Sequence, residues 1–295
     1  MTSYKDRHVK NMNRRDSFSF LIILFLKRNP LAVIGIAIVF VTVFISFTSQ
    51  WLIPYNPILP ELNVKLNPPT SQHWLGTDDM GRDIYSRILA GTRVSLLSAV
   101  IIISISMIFG LLVGLIAGYV GGWVDDLLMR ITDIFLAFPA LILAMAISAT
   151  LGPSLQNALI AVSSVWWPWY ARLIRGQVIS IKKMEYIEAA RCVGNSPVRI
   201  IFHHILPNAM GPIFVQGTLD IGNTILLTSS LSFIGLGAQP PSPEWGSMVS
   251  IGRLYLLSYW WVPTMPGFAI LITALGFNLV GDALRDFADV RERSL

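Results

Sequence analysis

Apolar residues in this chain come in runs too long for a soluble core, divided by short polar punctuation. Residues 31–53 make 23 positions without a charge, and residues 94–124 make 31. About 20 apolar residues suffice to cross a bilayer core, so both runs predict membrane-spanning helices. The first spans 31–53 and the second 94–119. Four more are predicted over 131–151 with a kink at Pro139, 155–174, 211–236 and 264–284. Residues 18–26 are apolar but too short to span, and Lys27, Arg28 and Pro30 follow, which predicts an interfacial segment leading into the first span. Residues 83–93 read as a separate amphipathic helix ahead of the second span. The expected fold class is an all-α membrane protein with about six transmembrane helices.

The punctuation sets the connections. Pro54, Pro57, Pro60, Pro68 and Pro69 mark a long extramembrane loop, Gly121, Gly122, Asp125 and Asp126 a short polar turn, and Gly152-Pro153-Ser154 a tight one. A loop over 239–263 is rich in proline and tryptophan. Gly110, Gly114 and Gly118 recur every four residues on one helix face, the spacing that lets membrane helices approach closely. Trp166, Trp167, Trp169 and Tyr170 surround Pro168, and form either an interfacial belt or the wall of a cavity.

Composition agrees with this reading: 54% of residues are hydrophobic and 13% charged, where soluble domains carry about a quarter charged residues. A very apolar soluble enzyme is excluded by the length of the runs. A net charge of +5 and a pI of about 9.5 would suggest nucleic acid on a soluble protein, but here the basic residues follow membrane topology. With the N-terminus inside, 17 of the 22 Lys and Arg residues fall on the inner side: Lys5 to Arg28 in the N-terminal tail, Arg130, Arg172 to Arg199, and Arg285, Arg291 and Arg293. Lys65, Arg82, Arg87, Arg93 and Arg253 fall outside. That asymmetry is the one expected for a cytoplasmic N-terminus, and an even number of spans returns the C-terminus to the same side. The basic N-terminus precedes an apolar run too long for a signal peptide, and with the single Cys192 no intramolecular disulfide can form. The expected organisation is a cytoplasmic tail with its interfacial segment (1–30), a first span (31–53), an extracytoplasmic loop (54–93) and a core of five helices (94–290) containing a cytoplasmic loop over 175–210.

A connection of that length usually has a job. Residues 181–193 are helix-compatible, with Tyr186, Ala189, Ala190 and Val193 on one apolar face and two alanines giving room for close approach. Gly194 is a helix stop, and Ser196-Pro197 a restart with serine as cap. A second short helix then runs to about His204 and ends at Pro207. The pair reads either as an interfacial hairpin without a partner or as a docking element.

Catalytic and metal sites are not expected. His203 and His204 are adjacent and cannot share a helix face, and no G-x-S-x-G segment is present. The phosphate-cradling G-x-x-x-x-G-K-[ST] loop is also missing, so no nucleotide is expected on this chain. Polar residues inside the apolar helices are the candidates for a translocation path: Gln216, Asp220, Asn223 and Thr228 in the fifth span and Asn278 in the sixth. Asp220, with no basic residue within a turn, is either a cavity wall or an interhelical hydrogen-bonding group.

Glu188-Ala189-Ala190, Gly194 and Ile205-Leu206-Pro207 resemble the EAA loop of bacterial and archaeal ABC importer permeases. His204-Ile205-Leu206-Pro207-Asn208 resembles the dipeptide/oligopeptide/nickel class in particular. So do His73-Trp74-Leu75-Gly76-Thr77-Asp78 with Gly81-Arg82-Asp83, Leu231-Ser232-Phe233-Ile234-Gly235-Leu236-Gly237, and Asn278-Leu279 with Gly281-Asp282-Ala283-Leu284-Arg285-Asp286. The resemblance covers about residues 28–291, and the long first loop is similar to the C-type subunit. The chain departs from the class at Thr228, where a carboxylate is common. The resemblance implies a type I ABC importer transmembrane domain that forms half of a path for peptides, with oligosaccharide or nickel as alternatives and an ion-coupled secondary transporter as the rival class. It implies a second, homologous permease as heterodimer partner, one or two ATP-binding subunits carrying ATP and Mg, an extracytoplasmic solute-binding protein and membrane lipid, and no nucleic acid. Under it Tyr186, Glu188, Ala189, Ala190, Gly194 and Pro207 couple to the ATP-binding subunit, with Glu188 orienting the loop or pairing with a partner's basic residue.

Overall fold

Ten helices can be followed through the computed structural model, which describes Leu26 and residues 29–293, with side chains to residue 287. The basic tail, the interfacial segment other than Leu26, and the Arg291 and Arg293 side chains lie outside the described residues. The helices are α1 (Pro30–Leu52), α2 (Ile84–Val120), α3 (Gly122–Leu136), α4 (Ala140–Leu151), α5 (Leu155–Lys182), α6 (Glu185–Cys192), α7 (Pro197–Ile200), α8 (Leu206–Ile234), α9 (Trp245–Gly252) and α10 (Trp261–Arg293). Among the described residues the only β feature is an isolated bridge between Thr77 and Asp83.

α1, α2 and α10 are long and apolar enough to cross a membrane, and α3 with α4 would do so as one bent pair. α5 and α8 have 28 and 29 residues, about 42 Å at 1.5 Å per residue, which is also sufficient length.

Several boundaries differ from the sequence reading, each for a local reason. The amphipathic segment at 83–93 is the first part of α2. The Asp83 carboxylate caps that helix by accepting from the Ser86 backbone N–H at 2.8 Å. Asp125 and Asp126 sit inside α3 and not in a turn. Asp125 is held there by a bidentate ion pair with Arg175 of α5, at 2.5 and 2.6 Å. Pro139 marks a break: α3 and α4 meet at 87°, because the proline cannot continue the α3 hydrogen-bond ladder and stands as the N-cap of α4. Most of the expected loop 175–210 is helical, since α5 runs on to Lys182 and α8 begins at Leu206. α9 and a 3₁₀ turn over Arg253–Tyr255 occupy the 239–263 connection.

α2 is the spine. It packs along α5 over its longest interface, and also against α1 and α8, while α10 packs between α1, α8 and α9. The three glycines make the α2–α5 approach possible. A Cβ at Gly110 would lie 2.5 Å from the Tyr170 Cβ, one at Gly114 2.5 Å from the Ala171 carbonyl oxygen, and one at Gly118 2.8 Å from the Val178 Cβ.

The two ends of α2 carry different structures. At the Ile84 end the 53–83 loop and α9 close over a cluster that includes Ile84, Trp245, Met248 and Trp261. Arg87, 1% exposed, donates to the Pro57 carbonyl at 2.6 Å and stands 3.4 Å from Asp78, which also binds Arg82 at 2.7 Å. The His73 ring lies 3.0 Å from Asp83. Buried Glu244 caps α9, one oxygen accepting from Gly246 N–H and the other from Ser247 N–H. Burial pushes its carboxyl above the usual range, and the capping bonds pull it back down. At the Val120 end, Lys182 donates to the Tyr119 carbonyl at 2.5 Å, and α6 and α7 pack over a cluster containing Val178, Ile181, Ile187, Ile200 and Ile205.

Candidate functional site

Two regions concentrate the residues singled out from the sequence. The first is the hairpin at the Val120 end of α2. α6 follows a two-residue break at Lys183 and Met184, so it is shorter than the 181–193 helix expected. Its C-terminus is a Schellman motif: Gly194 N–H donates to the Arg191 carbonyl at 2.9 Å and Asn195 N–H to the Ala190 carbonyl at 3.2 Å. Gly194 carries a φ of +87°, the left-handed region that glycine enters freely. The Ser196 hydroxyl then caps α7 by accepting from Arg199 N–H, with Pro197 in the first turn. A π-turn over Ile201–Ile205 leads without interruption into α8. Pro207 therefore does not end a helix; it stands at the start of α8, directly after the π-turn.

The apolar face of α6 differs from the one expected. Ile187 and Ala190 point inward and are buried, whereas Tyr186, Ala189 and Val193 point outward. Ile187 decides this: burying a full isoleucine outweighs burying alanine. The outward set continues on the next turn with Val198 and Phe202, and Val193 is 84% exposed and Phe202 59%. Glu188 is exposed on the same helix, and its side chain makes no ion pair or hydrogen bond among the described residues. Tyr186 is steadied from behind: its hydroxyl accepts from Asn208 at 3.3 Å. The result is a rigid hairpin held on one side by buried isoleucines and showing apolar side chains on the other.

The second region is a cavity of about 600 Å³ lined by Ala140, Trp166, Trp169, Arg172, Leu173, Gln216, Asp220 and Asn223. The α3–α4 bend places Ala140 at its edge, α5 gives the aromatic wall and α8 the polar wall. Asp220 is 4% exposed. One of its oxygens accepts from the Tyr170 hydroxyl at 2.8 Å and the other from Gln216 Nε2 at 3.0 Å. Asp220 is thus both a cavity-lining residue and an interhelical hydrogen-bond acceptor. Of the five path candidates, Gln216, Asp220 and Asn223 come together here. Thr228 lies further along α8 and spends its hydroxyl on the Thr224 and Ile225 carbonyls of its own helix, and Asn278 packs against Gly222 at the α8–α10 crossing. Trp166 and Trp169, read from the sequence as either an interfacial belt or a cavity wall, join the cavity, and so does Arg172, which the sequence marks only as an inner-side basic residue. The aromatic cluster around Pro168 divides: Trp166 and Trp169 line the cavity, while Trp167 and Tyr170 pack inward.

Residues 110–294 match the family model for the binding-protein-dependent transport system inner membrane component, and residues 17–69 the model for the N-terminal TM domain of oligopeptide transport permease C. The first of these matches, over more than half of the chain, defines the class, an inner-membrane transport component. The chain belongs to the family of binding-protein-dependent transport system inner membrane components. It is 48% identical over 269 residues, 91% of this chain and 88% of the other, to the dipeptide transport system permease protein DppC of Alkalihalophilus pseudofirmus. It is 45% identical over 264 residues, 90% and 89% of the two chains, to the probable D,D-dipeptide transport system permease protein DdpC of Escherichia coli. Its fold is similar to a chain in inward-facing conformations of the MetNI methionine ABC transporter, with a TM-score of 0.57 at 20% identity, covering 69% of this chain and 97% of that one. An amino acid ABC transporter gives a TM-score of 0.52 at 16% identity, covering 72% and 95%. The expected fold class, that of an ABC importer transmembrane domain, is the one found.

Proposed function

We propose that this chain is one permease subunit of an ATP-driven, binding-protein-dependent importer of di- or oligopeptides in the cytoplasmic membrane. The observation that carries the reading is identity of 45–48% over nine-tenths of the chain to permease proteins of dipeptide systems. The second half of the path comes from a homologous permease, the solute from an extracytoplasmic binding protein, and the energy from one or two separate subunits that bind and hydrolyse ATP with Mg. Both termini face the cytoplasm, and so does the α6–α7 hairpin.

The hairpin is the coupling element under this reading. Ala189, Tyr186 and Val193 dock in a groove of the ATP-binding subunit, Glu188 meets a basic residue there, Gly194 fixes the hairpin's bend, and Pro207 stands where the hairpin joins α8. Moving a two-state transporter from 1:99 to 99:1 takes roughly 5.5 kcal/mol of differential binding. A lever anchored by buried Ile187, Ile200 and Ile205 transmits such a bias better than a mobile loop does.

Ala189→Trp is the direct test. Ala189 is exposed, so the substitution leaves the permease folded but fills the space needed for docking. Dipeptide uptake by the reconstituted complex should fall about tenfold or more, and the ATP-binding subunit should co-purify less well; a steric clash of a few kcal/mol suffices for that. Normal uptake and normal co-purification would remove the assignment. Topology has its own probe, because Cys192 is exposed and is the chain's single cysteine. A membrane-impermeant maleimide should label it in inside-out vesicles and not in intact cells. Labelling of intact cells would invert the proposed orientation.

A further inference from the structure

Asp220 presents an unusual balance of charge. It is buried in an apolar helix, and no Lys or Arg among the described residues pairs with it. Arg172, which shares its cavity, is held by Asp133 at 2.5 Å. Both carboxylate oxygens already accept a hydrogen bond, from Tyr170 and Gln216. Trp166 and Asn223 direct further donors toward the carboxylate, and a ring of donors suits an ionised, acceptor-only group. A carboxylate kept in a desolvated site without a cation is costly and gains strongly from one. The opposite wall is aromatic. Trp166 and Trp169 line the cavity, and indole faces attract ammonium groups. The Trp166 indole N–H is buried and directed toward the Asp220 carboxylate, so the aromatic wall and the charge lie side by side. At about 600 Å³ the cavity lies within the roughly 300–1,000 Å³ typical of small-molecule sites.

We infer that this cavity is a transient subsite for the protonated amino group of the transported peptide, with Asp220 as its counter-charge and Trp166 and Trp169 as its aromatic wall. The inference rests on the peptide-import reading above and adds a specificity step within the membrane domain. The permease itself tests for a free amino terminus, after the external binding protein has released its cargo. Tyr170 and Gln216 act as positioning residues, since they aim the carboxylate and make no contact with the ammonium.

Equilibrium binding to the assembled transporter in lipid nanodiscs, without the external binding protein, isolates this step. The probes are radiolabelled dialanine and its N-acetylated form. The wild-type complex should bind dialanine about tenfold or more tightly than the acetylated peptide, the effect of one charge-assisted bond. Asp220→Asn should erase the preference, and Asp220→Glu should restore most of it. Tyr170→Phe, which removes the interhelical hydrogen bond and leaves the carboxylate, should keep it; a purely structural Asp220 would make that variant resemble Asp220→Asn. If Asp220→Asn does not assemble, Trp169→Ala decides, because it removes one side of the aromatic wall and should weaken binding of dialanine more than that of the acetylated peptide. Absence of saturable binding, absence of the preference in the wild type, its persistence in Asp220→Asn, or an unchanged preference in Trp169→Ala would overturn the subsite. The wider reading is judged separately: ATP-driven uptake of dialanine by the complete system, with no amino preference in the permease, would leave the importer standing and remove only this subsite.

Discussion

Gly114→Leu should leave almost no folded permease in the membrane. The Cβ alone would lie 2.5 Å from the Ala171 carbonyl oxygen, 2.8 Å from the Ile174 Cβ and 3.1 Å from the Arg175 backbone nitrogen. Two of these three atoms belong to backbone, so no rotamer change relieves the clash and the helices must part. Separating α2 from α5 forfeits contacts along the longest helix interface of the protein, including the neighbouring close approaches at Gly110 and Gly118. Lipid is as apolar as the side chains, so membrane helices hold together mainly by such packing. Overpacking costs about 1–3 kcal/mol even where side chains can adjust, and losses of about 1–2 kcal/mol already change cellular abundance several-fold. Immunoblots of membrane fractions should therefore show a fall of about tenfold or more. Gly176→Leu is the matched control, on α5 with open space around its missing side chain, and should accumulate normally. Equal amounts of the two variants would mean that the glycine face does not set the helix approach.

How much of this could be read from the chain follows from the range of the forces involved. The spans were legible because apolar runs are local. Their ends were not, because partners distant in sequence set them. Asp125 looks like a turn residue until Arg175, 50 positions later, holds it in α3, and the charges of 83–93 make that helix look separate from the span until the folded loop buries Arg87. In the hairpin the stop at Gly194 and the restart at Ser196 were visible as chemistry. The orientation of α6 was not, since the alanines gave a plausible apolar face and only the tertiary burial of Ile187 turns Ala189 outward and Ala190 inward. Gln216, Asp220 and Asn223 stood out because polar groups in an apolar helix are expensive. Nothing local distinguished them from Thr228, whose hydroxyl is satisfied within its own turn, or joined them to Trp166 across the bundle. The segment from His73 to Asp83, recognised only by resemblance, has a physical explanation in the structure: His73, Asp78, Arg82 and Asp83 are buried and bonded to one another or to the loop backbone.

That buried cluster carries the other large expected effect. Arg87→Ala should loosen the 53–83 loop and the α9 connection together, because this side chain is the link between them. One guanidinium nitrogen donates to the Pro57 carbonyl at 2.6 Å and reaches the Pro241 carbonyl at 3.4 Å. Its Nε stands 3.4 Å from Asp78 without a hydrogen bond, so that contact is Coulombic. Truncation leaves two carbonyls to find other donors, a void at a 1% exposed position, and Asp78 with one cation fewer. Removing one member of a buried ion pair costs about 3–5 kcal/mol. Arg82 moderates the loss, since it still pairs with Asp78 at 2.7 Å and no longer faces a second positive charge, so the lower end of that range is expected. Arg87→Lys should fall between, because an ammonium on a flexible stem cannot span Asp78 and both carbonyls as the planar fork does. Limited proteolysis of purified permease, read at cleavage sites within 53–83, measures the effect directly. A local opening that is easier by about 3 kcal/mol raises the cleavable population about 150-fold. Under the proposed topology this end of α2 faces the solute-binding protein, so Arg87→Ala should also impair uptake while the α6–α7 hairpin, at the opposite end of the same helix, still binds the ATP-binding subunit. Unchanged protease resistance would show that the loop and α9 hold their places without the arginine between them.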